Sequence, residues 1–270
     1  MNRHIYILFL FSGIISAQLS VETIKMTTKA VETSGLEYFK GHFITLNDSG
    51  DKPNLYSFTS EGDLLKTHTI KGTINRDWED LTADENYIYI SDTGNNNGKR
   101  KDLTIYRLDK NLTLKDSILI SYANQKKFKK KKKNRYNAEA LASVDSVLLL
   151  FSKDNKKLTT QVYSIPKVPN SYILEPIAEF YVNALITAAD YEPISKTLAL
   201  TADSSNGDQF LYIFSNFDIL KIKQSKFEKY LIPVNSAQIE AIKIEDPSSF
   251  WLTSEGEENG IPRLFKACLN

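Results

Sequence analysis

Glu79, Glu139 and Glu240 recur in one short context, and that context gives them chemical meaning. Each precedes a small or acidic residue and then an aliphatic one: Glu79-Asp80-Leu81, Glu139-Ala140-Leu141, Glu240-Ala241-Ile242. Ser34-Gly35-Leu36 and Thr187-Ala188-Ala189 repeat the pattern with a hydroxyl in place of the carboxylate. Sliding Glu37 and Asp190 into the glutamate register is the alternative, but the following small and aliphatic positions then match less well. If the repeats form a ring, these side chains converge. Carboxylates crowded together repel, and partial burial adds to the cost of their charge. They must share protons, face water or bind a cation. Calcium suits such a set, being hard and ligated by several oxygens. Glu79, Glu139 and Glu240 are therefore candidate metal ligands and calcium the candidate cofactor. The competing reading is a hydrated tunnel whose glutamates accept backbone N–H groups.

A second set of polar residues follows about a dozen positions after each repeat start. Asn47-Asp48-Ser49-Gly50-Asp51 and Ser91-Asp92-Thr93-Gly94-Asn95-Asn96-Asn97-Gly98 are related loops, and Lys153-Asp154-Asn155, Asp203-Ser204-Ser205 and Glu255-Gly256-Glu257 stand at equivalent places. Gly permits tight turns while Asp and Asn present oxygens, a chemistry that serves ordinary turns as well as metal or polyol ligation. Asp48, Asp92, Asn95, Asn96, Arg100, Lys153 and Glu255 are the candidate ligand-binding residues of such a rim.

Other motifs do not mature. Asp48-Ser49-Gly50 and Asp92-Thr93-Gly94 look like the paired motif of aspartic proteases, but their separation is that of adjacent repeats. No Gly-x-Ser-x-Gly elbow is present. His4 lies in the leader, while His42 and His68 do not map to the ring, which argues against His-based acid–base or zinc chemistry.

The elements that must position these residues are strands. Each repeat start leads to a β-rich run ending in Ser, Thr, Asn or Asp, as in Tyr87–Asp92 and Val147–Ser152. A third run with an aromatic follows, such as Leu103-Thr104-Ile105-Tyr106, then a more polar fourth such as Leu65–Ile70 or Ser117–Tyr122. The starts at 34, 79, 139, 187 and 240 recur at roughly 45–60 residues, the period of a four-stranded propeller blade. An all-β, five-bladed β-propeller is the expected fold, with six blades as the alternative if one unit is degenerate. The last unit runs out of chain after three strands, so Ser20–Lys25 is expected to supply its outer strand and close the ring.

Asn2-Arg3-His4, the apolar run Ile5–Ile15 and small Ser16-Ala17 read as a secretory signal peptide over residues 1–17, leaving residues 18–270 as a single propeller domain. The apolar run is too short to span a bilayer and no later stretch is long enough, so no transmembrane segment is expected. The expected location is secreted or periplasmic. With 41% hydrophobic residues a substantial core can form, and 34 basic against 33 acidic residues steer the chain to no class of partner. The lone Cys268 excludes an internal disulfide and is expected to be buried beside Ala267. Lys126 to Lys133 form a basic insertion between the second and third units. It reads as a solvated loop or as contact with an anionic glycan or lipid surface. Nucleic acid is a poor partner for an exported chain of near-zero net charge.

Ser34-Gly35-Leu36, Asp77-Trp78-Glu79-Asp80-Leu81, Asp92-Thr93-Gly94-Asn95-Asn96 with Arg100, and Tyr136-Asn137-Ala138-Glu139-Ala140-Leu141 together resemble a group of secreted bacterial propellers. More distantly they resemble the SdiA-regulated family, the esterase-like phytase domains and the calcium-dependent lactonase and phosphotriesterase propellers. The resemblance spans most of residues 34–255. It implies a channel metal held by Glu, Asn and Asp, of which Glu79, Glu139 and Glu240 supply part; this chain departs from those enzymes in lacking a channel histidine, which counts against hydrolase chemistry. The leading functional expectation is ligand binding, of a small molecule or glycan, through calcium at the rim. A metal-dependent hydrolase of esters, lactones or phosphoesters and a protein-interaction scaffold are the alternatives.

Overall fold

The computed structural model describes residues 18–256 and 260–270. Residues 1–17, where the sequence predicts a leader, and Glu257 lie outside them. The chain enters along β1 (Leu19–Lys25) and then lays down five units in order. The first is β2 (Thr33–Phe39), β3 (His42–Asn47), β4 (Asn54–Phe58) and β5 (Leu64–Thr69); the second is β6 (Asp80–Ala83), β7 (Tyr87–Asp92), β8 (Leu103–Asp109) and β9 (Leu114–Tyr122). The third is β10 (Ala138–Val144), β11 (Val147–Ser152) and β12 (Thr159–Pro166), then β13 (Ser171–Leu174) and β14 (Ala178–Tyr181). The fourth is β15 (Leu185–Glu192), β16 (Thr197–Asp203), β17 (Gln209–Phe214) and β18 (Glu228–Ile232). The fifth is β19 (Ile239–Asp246), β20 (Ser249–Ser254) and β21 (Arg263–Leu269). Antiparallel pairing inside each unit gives five sheets in a ring, a five-bladed β-propeller rather than a six-bladed one.

Ring closure follows the sequence expectation. β1 pairs antiparallel with β21 from Leu19↔Leu269 to Lys25↔Arg263, so the start of the chain completes the last blade. Beyond β1 the chain is held between the fifth and first blades: the Met26 N–H donates to the carbonyl of Pro262, just before β21 (2.9 Å), and the Thr27 N–H to the Gly62 carbonyl of the first blade (2.9 Å). Gly62, at φ +86°, lies where a Cβ would come within 2.1 Å of the Lys25 carbonyl oxygen.

Why these runs become middle strands is visible in their burial. The second and third strands of a blade are covered on both faces by neighbouring blades, so they read as continuous apolar runs such as Val147–Ser152. Outer strands such as β5 are exposed and polar. Alanines crowd the inner strands, where five sheets converge on one axis: Ala140, Ala188 and Ala241 are fully buried. Each of the five blade-to-blade interfaces holds its own apolar cluster.

Two features depart from the expected plan. After β12 the third blade sends β13 across to its neighbour, where it pairs parallel with β9 from Ser171↔Leu119 to Leu174↔Tyr122 before β14 returns. That strand satisfies an outer edge that would otherwise carry unpaired backbone groups. Cys268 is only half-buried, because strand alternation gives the inward side to Ala267 and turns the thiol toward Ser249 (3.8 Å).

Candidate functional site

The inner strands deliver the repeated carboxylates by a shared irregularity. In β10 and β19 the ladder skips a residue between Ala138 and Ala140 and between Ile239 and Ala241, so Glu139 and Glu240 are bulged. β15 skips Thr187 in the same way. A bulge re-aims one side chain out of the pleat, here toward the end of the channel. Glu79, just before β6, donates its N–H to the Ser91 carbonyl while Asp80 pairs with the same residue. In the first blade the skipped residue is Gly35, between Ser34 and Leu36. The glutamate register therefore falls on Gly35, one residue after Ser34, and Glu37 and Asp190 lie further along their strands. Ser34 still belongs to the ring: its hydroxyl donates to the Glu79 carbonyl and, at 3.4 Å, to that of Glu240. No side chain fits at Gly35, because a Cβ would stand 2.5 Å from the Leu81 nitrogen and 2.8 Å from Asp80 Oδ1.

Asp80 blocks the middle of the channel. Its carboxylate accepts the N–H groups of Leu81 (2.8 Å), Leu141 (2.8 Å) and Ala189 (3.3 Å), tying three inner strands whose channel-facing edges would otherwise go unpaired. Further along, half-buried Lys243 Nζ sits between the buried carboxylates Glu37 Oε1 (2.8 Å) and Asp190 Oδ1 (3.1 Å), so both are ion-paired to one lysine. Chemistry is left to the glutamate end.

There the structure regroups the candidates. Glu139 is paired with Lys153 Nζ and accepts from Asn137 Nδ2 (2.5 Å), and Glu240 accepts from Gln238 Nε2 (2.7 Å). The carboxylates that come within 4.8 Å of one another are instead Asp48, Asp77 and Glu79. Glu79 is 5% exposed, and its Oε1 is buried with no hydrogen-bond partner. Gly94 leaves the space this group needs, since a Cβ there would stand 2.0 Å from Glu79 Oε1 and 2.4 Å from Asp77 Oδ2. The expected trio of channel glutamates is thus one ring of residues, but only Glu79 joins the set with ligand spacing. Asp77 was absent from the expected site. Its signal was its place two residues before Glu79 in Asp77-Trp78-Glu79.

The remaining candidates sort by what they touch. Asp92 is buried rather than presented to solvent; its Oδ1 accepts from Arg100 Nη1 (2.7 Å) and from the Asp77 N–H (3.1 Å), so it braces Asp77. Arg100 Nη1 also donates to the Gly94 carbonyl (3.0 Å) and its N–H to Asn95 Oδ1 (3.0 Å), fixing the glycine against the carboxylates. Asn95 is buried and donates its N–H to Asn137 Oδ1, while exposed Asn96 accepts from Asn137 Nδ2 (3.0 Å). Glu255 is half-buried, and its charge raises both Asp48 and Glu240.

The electrostatics show one continuous acidic end. Burial pushes Asp48 up to about 7, helped by Asp77, Glu139 and Glu255, and pushes Glu240 up to about 8. Glu79 is raised well above the usual carboxylate range by burial and by the charges of Glu139, Asp48 and Asp77. Asp77, Glu139 and Asp203 are raised as well, each chiefly by burial. Lys153 sits among Glu139, Glu240 and Asp203, which hold its ammonium charged despite burial. Glu139, Glu240 and Asp203 share Lys153, and Asp77 also feels the Arg100 guanidinium, which is itself paired with Asp92, so the carboxylates outnumber the cations and a bound cation relieves repulsion. The geometry can ligate a hard cation through Asp77 and Glu79, with Asp48 completing the set.

No protein-family profile and no curated protein matches the sequence. Among solved structures the chain is similar to the PQQ-bound aldose sugar dehydrogenase of Streptomyces coelicolor, with 11% identity, 94% of this chain and 99% of that chain covered, and a TM-score of 0.56. It is also similar to an oxidoreductase assigned as a glucose dehydrogenase from Thermus thermophilus, with 11% identity, 92% and 99% coverage, and a TM-score of 0.52. At such identity the likeness is one of fold.

Proposed function

We propose that this protein is an exported propeller that holds calcium at the acidic end of its channel and uses the ion to bind a hydroxyl- or carboxylate-bearing small molecule or glycan. The observation that carries the reading is the partnerless, buried Oε1 of Glu79, facing Asp77 and Asp48 under a glycine. Leaving a buried acceptor unsatisfied is costly, and a cation removes that cost. Calcium fits better than magnesium, because it accepts irregular sets of carboxylate and neutral oxygens and leaves ligand sites to exchange. Export rests on the leader at residues 1–17, and no described helix is long and apolar enough to cross a membrane.

The cofactor of the Streptomyces dehydrogenase does not transfer. At 11% identity the likeness to that enzyme is one of fold, and the acidic rim of this chain is a cation site rather than a redox centre in this reading. The test is calorimetric titration of chelator-treated protein with calcium and magnesium, paired with thermal unfolding. Calcium at about a hundred times its Kd should raise Tm by about 5–10 °C. Glu79→Gln and Asp77→Asn should each abolish the rise. Absence of any calcium-dependent heat or shift in the native protein overturns the reading.

A further inference from the structure

Lys126, Lys127, Lys129, Lys130 and Lys131 line one cavity of about 430 Å3, together with Gly98, Asn124, Asn134 and Tyr136. A run of like charges ordinarily stays extended in water. This one is folded into a concave wall by two buried amides. Asn134 Nδ2 donates to the carbonyls of Asn96 (3.1 Å), Lys131 (3.0 Å) and Asn95 (3.3 Å), and Gln125 Nε2 donates to the Gly98 carbonyl (2.9 Å). The Lys131 N–H closes the fold on the Asn97 carbonyl (2.9 Å). Among the described residues none of the seven lysines of this segment enters an ion pair. The molecule therefore holds a set of uncompensated cations around a hollow, which concentrates positive potential there.

We infer that this hollow is a second binding site, and that its ligand is an acidic saccharide. Several anionic groups on one ligand are needed to engage five ammonium groups, and the volume lies in the range of small-ligand pockets, roughly 300–1,000 Å3. Tyr136 adds an aromatic wall, backed by Tyr122 at a ring separation of 5.7 Å, and Asn124 adds an amide for hydroxyl groups. Concavity argues against a flat lipid surface, and Phe128, the aromatic inside the run, is half-buried with Lys101 over its ring (5.0 Å). The site shares its scaffold with the acidic end of the channel. Gly94 packs over Asp77 and Glu79, Gly98 lines the hollow, and the chain between them spans no more than roughly 14 Å. An oligosaccharide anchored by its acid groups on the lysines reaches toward the rim carboxylates, yet the hollow binds acid groups whether or not a cation is held there.

Calorimetric titration with hexagalacturonate tests the inference, with maltohexaose, poly-L-glutamate and phosphatidylserine vesicles as comparisons. Native protein should bind the hexamer, weaken as salt rises and ignore maltohexaose. Replacing the five lining lysines by glutamine should weaken binding by about tenfold or more, since each charged hydrogen bond contributes measurably. The same change at Lys221, Lys223 and Lys226, exposed lysines elsewhere, should leave it unaltered. Tyr136→Leu should weaken it several-fold with Tm nearly unchanged. Unaltered hexamer binding by the five-lysine variant overturns the proposal. So does poly-L-glutamate binding as tightly with no effect of Tyr136→Leu, which is a generic polyanion patch, or retention on vesicles without hexamer binding, which is a membrane surface. The calcium-dependent Tm shift is read in the same variants, so loss of one site is distinguished from loss of the other.

Discussion

Two glycines illustrate at the residue scale how the same absent Cβ serves different ends. At Gly94 the atoms in the way are the ends of the Glu79 and Asp77 side chains, whereas at Gly35 the nearest is the backbone nitrogen of Leu81. Side-chain carboxylates can swing aside; a strand cannot. Gly94→Ala should therefore leave the cation-free protein within about 2 °C of native Tm while displacing both carboxylates and erasing the calcium response. A variant that keeps full calcium affinity would show that Gly94 does not shape the site. Neither effect was readable beforehand. The Asp-Thr-Gly of the second blade looks like its relative Asp48-Ser49-Gly50, yet Gly50 has no atom within 4 Å of where its Cβ would be. The same composition builds a cradle in one blade and an open turn in the other. Asp77, present in the sequence motif Asp77-Trp78-Glu79, carries no mark of a ligand there for a related reason. It precedes the repeat rather than belonging to it, and only folding brings it against Glu79 and Asp48.

At the scale of elements, the strands were legible because burial on both faces writes long apolar runs into the middle strands. Closure was legible because the last unit is a strand short. What escaped was geometry that leaves no compositional mark. The bulge that puts Gly35 in the glutamate register costs a single residue and looks like ordinary repeat drift. β13 is four residues long with only Leu174 well buried, too little pattern to predict a crossing into the neighbouring blade. The clamp on the latch was equally hidden. Gly62 lies in a turn of the first blade, but its positive φ and its contact with Lys25 serve the strand that completes the fifth. Gly62→Ala must either distort that turn or push β1 from its clamp, at a cost of about 2 kcal/mol or more. Thermal unfolding should register a fall of roughly 4–8 °C. Amide exchange should show the added opening concentrated in β1 and β21, and uniform loss of protection across all blades would argue against a closure role.

For the whole molecule, the acidic end is a cost that the rest of the ring carries, and that cost depends on pH. Asp48 titrates near 7 in the folded protein against an ordinary value of 3.8, and Glu240 near 8 against 4.5. Between about pH 4 and pH 8 the native protein thus retains protons that the unfolded chain has already released, and stability falls as pH rises through that window. Five apolar interfaces hold the ring against this repulsion, so the effect should appear as a slope in stability rather than as loss of the fold. Calcium acts in the opposite sense because it binds the deprotonated carboxylates, with protons as its competitors. The two curves, one in chelator and one in calcium, should nearly coincide at pH 5 and diverge steadily toward pH 8, where calcium restores most of what the charges remove. Asp48→Asn with Glu240→Gln should make the chelator curve shallower, since neither replacement has a proton to lose, while raised Glu79, Asp77, Glu139 and Asp203 keep part of the slope. Thermal unfolding across pH 4.5 to 8.5 in both conditions measures all three curves. A chelator curve that rises with pH in this window would mean that these carboxylates are compensated in the folded state, and that the channel end needs no cation to hold its shape.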